Sequence, residues 1–225
     1  MKPEEIFWSP PPIFKGETIF ILASGPSLTR ECIDWVKGNR CIVVNSTIIY
    51  APWVDVFYFT DSGVFLRYRE LIEAWPGLVV TMSKRAKRTL PEKIKRVKGQ
   101  WMPGFPAHNS PVIRQGISSG HSAISLGVSL GAARIVLLGF DMRLSDKREH
   151  NHDEYANVSR KISPYAEFIR GFSGWYADGL RAGVEIVNAT PGSAVREFPF
   201  VTLDDELNRP VPWASASPRC EAPPP

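Results

Sequence analysis

Cysteine is scarce in this chain. Its three residues, Cys32, Cys41 and Cys220, are odd in number and show no CxxC spacing. That excludes a disulfide framework and a Cys-rich zinc site, and it suits a reducing cytoplasm. Long apolar runs are also missing. No uninterrupted stretch approaches the ~20 residues that span a bilayer. Residues 1–25 carry Pro10, Pro11 and Pro12 and a charged start, with no long apolar segment ending in a small-residue cleavage site. No secretory signal is read there, and a cytoplasmic location is expected.

What is present is an ordinary globular balance. The chain has 225 residues, 44% hydrophobic and 22% charged, enough to bury one sizeable core without staples. A single domain is expected over residues 17–208, preceded by an extension at 1–16 and followed by a Pro-rich, disordered tail at 209–225. The net charge of +4 is unevenly spread. Residues 84–98 hold Lys84, Arg85, Lys87, Arg88, Lys93, Lys95, Arg96 and Lys98 against the lone acid Glu92, so the remainder of the chain is net acidic. Such a run is either a solvated helix face or a patch for a polyanion.

Short β-type runs alternate with helical stretches. Residues 18–23 (TIFILA), 41–45 (CIVVN), 54–59 (VDVFYF), 78–82, 134–138 (RIVLL) and 184–187 (VEIV) read as strands. Residues 28–37, 65–75, 119–130 and 163–181 read as helices, the last interrupted by Gly171 and Gly174. The basic window is expected to be partly helical, with Pro91 opening a short helix. Residues 103–118 read as a loop and 142–160 as polar and irregular. Strands that are apolar throughout, at βαβ spacing, predict an α/β fold: a Rossmann-like, mostly parallel sheet with helices on both faces.

In such sheets ligands bind beyond the carboxyl ends of the strands, so the residues there carry the functional reading. After the first strand come Ser24, Gly25, Pro26 and Ser27. A glycine turn before a helix is a ready anion site, and it is equally a tight turn capped by Ser27. It is neither GxGxxG nor GxxxxGK[ST], so a standard dinucleotide or P-loop site is not supported. Asn45 follows the second strand, Asp61 the third, Asp141 the fifth, and Asn188 and Thr190 the last, with Ser193 nearby. Each alone is a common turn former; together they form a polar rim suited to a nucleotide. Ser118, Ser119 and Gly120 open the small-residue helix as a second phosphate cradle, while His121 is expected to pack or face solvent. His150 and His152 lie in a polar loop with Asp153 and Glu154. A general base is favoured there over a metal site, because no further His or Cys cluster supplies ligands.

ASGPSL after the first strand, VVN after the second, and SSGHSAISLGVSLGAARIVLLGFDM followed by a His-bearing loop together resemble the DUF115-type proteins, most closely small phage and prophage members. That group is related to bacterial family 42 sialyltransferases and to archaeal pterin pyrophosphokinase-like enzymes. The resemblance covers about residues 17–200 and is most specific over 118–141. It implies an inverting, nucleotide-sugar-dependent glycosyltransferase with a CMP-sugar donor and no metal cofactor, working in the cytoplasm of a bacterial host. By motif, Ser24, Gly25, Pro26, Ser27 and Asn45 would line the nucleotide, and Ser118, Ser119 and Gly120 the phosphate or ribose. Asn188, Thr190 and Ser193 would close the nucleotide side, and His150 or His152 would be the base. The acceptor would be a glycan or, through the basic window, a hydroxylated base in DNA. Two other readings remain open. One is ATP- and Mg²⁺-dependent diphosphate transfer with Asp61 and Asp141 as ligands; the other is a non-catalytic nucleotide-binding protein. Ser24 stands where the family often has Asn, and the chain is short for a sialyltransferase acceptor lid.

Overall fold

The computed structural model describes residues 7–83, 91–143 and 164–210. Seven strands form one sheet: β1 (Thr18–Leu22), β2 (Arg40–Val44), β3 (Val56–Phe59), β4 (Leu78–Thr81), β5 (Ile94–Arg96), β8 (Arg134–Leu138) and β9 (Glu185–Asn188). Their order is β5-β4-β3-β2-β1-β8-β9, and every neighbouring pair is parallel. Two short strands, β6 (Lys98–Gln100) and β7 (Val112–Arg114), pair in parallel apart from it. This is the Rossmann-like α/β fold that the apolar strand runs predict.

Each central strand is apolar on both faces because both faces are covered. Ile19, Ile21, Ile42, Ile135 and Leu137 pack beneath α4 (Ser119–Ser129) and α6 (Trp175–Arg181). Phe20, Leu22, Val43, Phe57, Val136 and Leu138 face the other way. They pack with residues of α1 (Arg30–Trp35), α2 (Ser62–Arg67), α3 (Arg69–Ala74) and α7 (Leu203–Leu207). From Gly120 to Ser129, α4 is buried throughout, and its small residues let it lie close to the sheet. At Gly127 a side chain would collide with Ile19 and press on Ile135. The segment before β1 joins the core through Phe14, whose N–H donates to the Leu130 carbonyl at 2.8 Å.

Several elements differ from the sequence expectation. The expected helix at Pro91 is a turn leading into β5 and β6. Ile94 and Val97 are buried, and Ile94 pairs in register with Val79 of β4, so strand pairing outweighs the charge pattern. The stretch at 65–75 divides at Tyr68 into α2 and α3. The loop at 103–118 contains β7. The helix at 163–181 is interrupted where the sequence expects it, dividing into α5 (Tyr165–Gly171) and α6 around Gly174, which has φ of +79°. No helix among the described residues is long and apolar enough to cross a membrane.

The amino edge of the sheet is held by charge pairs. Arg40 bonds Glu17 at 2.8 Å and Asp55 at 3.0 Å, and Asp55 also accepts from the Cys41 N–H. Arg134, at the start of β8, grips Glu206 of α7 with two bonds of 2.8 and 2.7 Å, and also bonds Glu185. Glu206 is buried, so its removal strands a guanidinium charge that Glu185 only partly answers. Glu206→Ala should lower unfolding stability by about 3 kcal/mol in a denaturant titration, with ligand binding at the opposite edge unchanged.

Candidate functional site

The strand order carries the site. From β1 the chain steps outward to β5, then returns by way of α4 to place β8 on the other side of β1. The carboxyl ends of β1 and β8 therefore flank a topological switch point, where open α/β sheets bind ligands. A cavity of about 600 Å³ opens there. Its floor is the ends of β1 to β4 and β8, and its wall is the start of α4 together with Tyr165 and Phe168 of α5.

Of the residues expected at a nucleotide, Ser24, Gly25, Asn45, Asp61, Ser118, Ser119, Gly120 and Asp141 line this cavity. Asn45 opens the 3-10 turn Asn45–Ile49 with φ of +53°, a left-handed conformation that Asn tolerates better than most residues. Its Nδ2 donates to Ser119 Oγ at 3.2 Å, and Ser119 Oγ pairs with Thr60 Oγ1 at 2.5 Å. The ends of β2 and β3 are thus tied to the start of α4. Asn45 Oδ1 is buried and accepts no hydrogen bond among the described residues. Asp61 caps α2, accepting from the Gly63 N–H at 2.8 Å.

Asp141 has a different setting. It is buried, and its carboxylate accepts from Ser27 N–H at 3.1 Å and Ser27 Oγ at 2.8 Å. Burial raises its pKa above the ordinary carboxylate value, and the two Ser27 bonds and the Arg143 charge oppose that rise. The Ser27 donors read as an anion cradle are therefore occupied by the protein's own carboxylate. Helix α1 starts only at Arg30, capped by Thr29. Pro26 does not line the cavity. Gly25 is required by space, because a side chain there would collide with Asp141 and with the Gly139 carbonyl.

Asn188, Thr190 and Ser193 lie elsewhere. All three are buried and bonded to the backbone. Asn188 donates to the Val195 carbonyl and accepts from Thr190 N–H. Thr190 Oγ1 accepts from Phe140 N–H, and Ser193 Oγ donates to the Phe140 carbonyl. They hold the turn after β9 against the Gly139–Asp141 segment. His150, His152 and Asp153 lie outside the described residues, as do Lys84, Arg85, Lys87 and Arg88. Lys93 caps α3 through the carbonyls of Glu73 and Trp75, and the Arg96 guanidinium stacks 5.3 Å from the Phe7 ring. Lys95 follows on β5, and Lys98 is exposed on β6. Sequence reasoning missed Gln115, Tyr165 and Phe168. The first sits just past a strand of three residues and the others on a helix, so no strand-end rule pointed to them.

The described lining holds hydroxyls, amides and two carboxylates, and none of it is Lys, Arg or His. Asp61 and Asp141 follow β3 and β8, with β2 and β1 between them. Three strand spacings place them roughly 14 Å apart, too far to share one ion. Among the described residues no group of three His, Cys, Asp or Glu could hold a metal.

No protein-family model matches the sequence, and no curated protein does. A solved structure shares the fold. It is a sialyltransferase, CstII from Campylobacter jejuni, in complex with the substrate analogue CMP-3FNeuAc. The TM-score is 0.50 at 13% identity, over 82% of this chain and 86% of that one. The sialyltransferase-like fold is thereby shown; the DUF115-type and pterin pyrophosphokinase relations have no counterpart in these comparisons.

His121 is packed, as expected. Its ring stacks on Phe172 at 3.7 Å, and Gly116 and Gly171 leave no space beside it. Ser118 N–H donates to Nδ1, which fixes the neutral ring. Burial pushes its pKa down to about 3, with the Arg114 charge adding and the Phe168 backbone opposing. The unfolded chain takes up this proton below its usual value of about 6.5, so the stability is present above that pH and lost on acidification toward pH 3. The His121 contribution alone makes the native protein about 2 kcal/mol less stable at pH 5 than at pH 7, and the stability difference between the native chain and His121→Gln should shrink by that amount on going from pH 7 to pH 5. Asp141, with its raised pKa, contributes with the opposite sign, and comparing the two chains cancels it.

Proposed function

We propose that the protein is a nucleotide-sugar-dependent glycosyltransferase with a CMP-type donor seated in the switch-point cavity. One observation carries this reading: polar groups from β1, β2, β3, β8 and α4 converge on a cavity of about 600 Å³, the size of a small-ligand site. The shared sialyltransferase fold supports it, and the neighbour was solved with a CMP-linked analogue.

On this reading the lining sorts by chemistry. An ionised Asp141 only accepts hydrogen bonds, so it suits a ribose hydroxyl and repels phosphate. Asn45 Oδ1 accepts a donor from base or sugar. The phosphate lies at the amino end of α4, where the helix's first-turn N–H groups point; the Ser119 hydroxyl would exchange its Asn45 and Thr60 partners to meet it. The acceptor hydroxyl oxygen attacks the anomeric carbon as the phosphate oxygen leaves with the bonding pair, which inverts that centre. His150 or His152 takes the acceptor proton, oriented by Asp153 or Glu154. The N–H groups at the start of α4 stabilise the charge that develops on the leaving phosphate. Few described cationic groups stand near, which matches a donor with a single phosphodiester better than one with a diphosphate.

Ser119→Ala removes a hydroxyl that links Asn45 and Thr60. It should weaken CMP binding by about three- to tenfold in calorimetry with little change in Tm. Changing the base histidine to Ala should cut transfer by about 10²–10⁴-fold while CMP binding persists. If neither CMP nor any CMP-sugar binds the intact protein, the reading fails.

A further inference from the structure

A second cavity of about 280 Å³ lies beside the first, across the wall formed by Ser27 and Gly139. It sits over the ends of β8 and β9, between α1 and the chain leading into α7. Its chemistry is the reverse of the first. Leu28, Leu138, Ala189 and Leu203 supply the interior, and Trp35 and Phe200 stand at the rim, 53% and 42% exposed. The Thr190 hydroxyl in its wall is already bonded to the Leu137 carbonyl and the Phe140 N–H. No charged residue among the described ones lines it, so nucleotides and phosphates gain nothing inside. A cavity of roughly 150 Å³ suffices for benzene, so this one admits a substituted ring or a short acyl chain.

Charge stands just outside. The Arg196 guanidinium lies 4.9 Å from the Phe200 ring centre. That of Arg143 packs against Gly192, which lines the cavity. Both arginines are exposed, and among the described residues neither is in a contact ion pair, although the Arg143 charge is felt at Asp141. An apolar interior with guanidinium groups at its rim complements one kind of small molecule.

We propose that this cavity binds a small carboxylate bearing an aromatic ring or short acyl chain, the apolar part inside and the carboxylate at Arg143 and Arg196. The site is separate from the proposed donor site, and its test does not depend on that reading. A ligand there would rest against Ser27, whose other side holds Asp141.

The test is calorimetry of the full chain with phenylpropionate at low ionic strength, where exposed arginines are least screened. Saturable one-to-one binding is expected, with phenylpropanol at least about fivefold weaker and each of Arg143→Gln and Arg196→Gln costing about three- to tenfold. Cys32→Phe, which fills the cavity from α1, should abolish binding. Trp35→Ala, at an exposed position, should weaken it and serves if the first variant does not fold. In a Cys220→Ser chain, phenylpropionate should also slow alkylation of Cys32. The proposal is overturned by no saturable binding up to about 10 mM, about ten-thousandfold above a ~1 μM Kd. Equal affinity for acid and alcohol, or binding indifferent to Cys32→Phe and Trp35→Ala, would overturn it too. It also falls if Trp35→Ala dissociates a dimer in sedimentation while phenylpropionate does not bind, since the face would then join two copies of the chain.

Discussion

The carboxyl edge of this molecule depends on β1 lying between β2 and β8. Both pairings are parallel and in register over most of β1, so Thr18–Leu22 is the axis on which the strand order reverses. A reversal leaves a gap above the sheet, because the connections from β1 and β8 depart in different directions. The gap stays narrow at its base, where Ala23 N–H reaches the Leu138 carbonyl and Gly25 N–H the Gly139 carbonyl, each at 2.9 Å. Gly25 is what permits this approach. With any larger residue the two segments separate, Asp141 loses Ser27, and the partition between the two cavities opens.

The two edges of the sheet differ in kind. At the amino edge, Arg40 ties the starts of β1, β2 and β3 together, and Arg134 ties β8, β9 and α7, through four carboxylates. At the carboxyl edge the contacts are Asn to Ser, Ser to Thr and Ser to Asp, shorter in reach and mostly without opposite charges. Charge pairs lock elements in place at a desolvation cost, whereas hydroxyl and amide contacts can exchange one partner for another. An edge built from exchangeable contacts admits a ligand without disturbing the edge that holds the fold.

The architecture was legible in the sequence because burial on both faces leaves a mark. TIFILA and RIVLL have no alternation, and only a covered parallel strand needs none. The polar residues after β1, β2, β3 and β8 were legible for the same reason, since a strand ends where apolar residues stop. The rest depended on partners distant in the chain. Ser27 looked like a free donor because its acceptor, Asp141, lies 114 positions away. Asn188, Thr190 and Ser193 looked like site residues, yet they bind the backbone of neighbouring turns, which no local pattern records. Residues 91–98 looked helical by charge, but β4 offered an open edge and Ile94 and Val97 a face to bury.

Asp141 shows why the site's own tension is informative. A buried carboxylate given two donors by a neighbouring serine could have had its pKa pulled below the ordinary value, as happens where guanidinium groups face Glu206. At Asp141 burial outweighs the Ser27 bonds and the Arg143 charge together. An amide in its place would avoid that cost, so a carboxylate there is not explained by stability. On the proposed function, a ribose hydroxyl would donate to it once the cavity is filled. The Ser27 hydroxyl is in both arrangements, because it holds Asp141 on one side and borders the apolar cavity on the other. A change in its rotamer would alter the acceptor presented to the first cavity and the surface presented to the second, which makes this single hydrogen bond the point where the two sites meet.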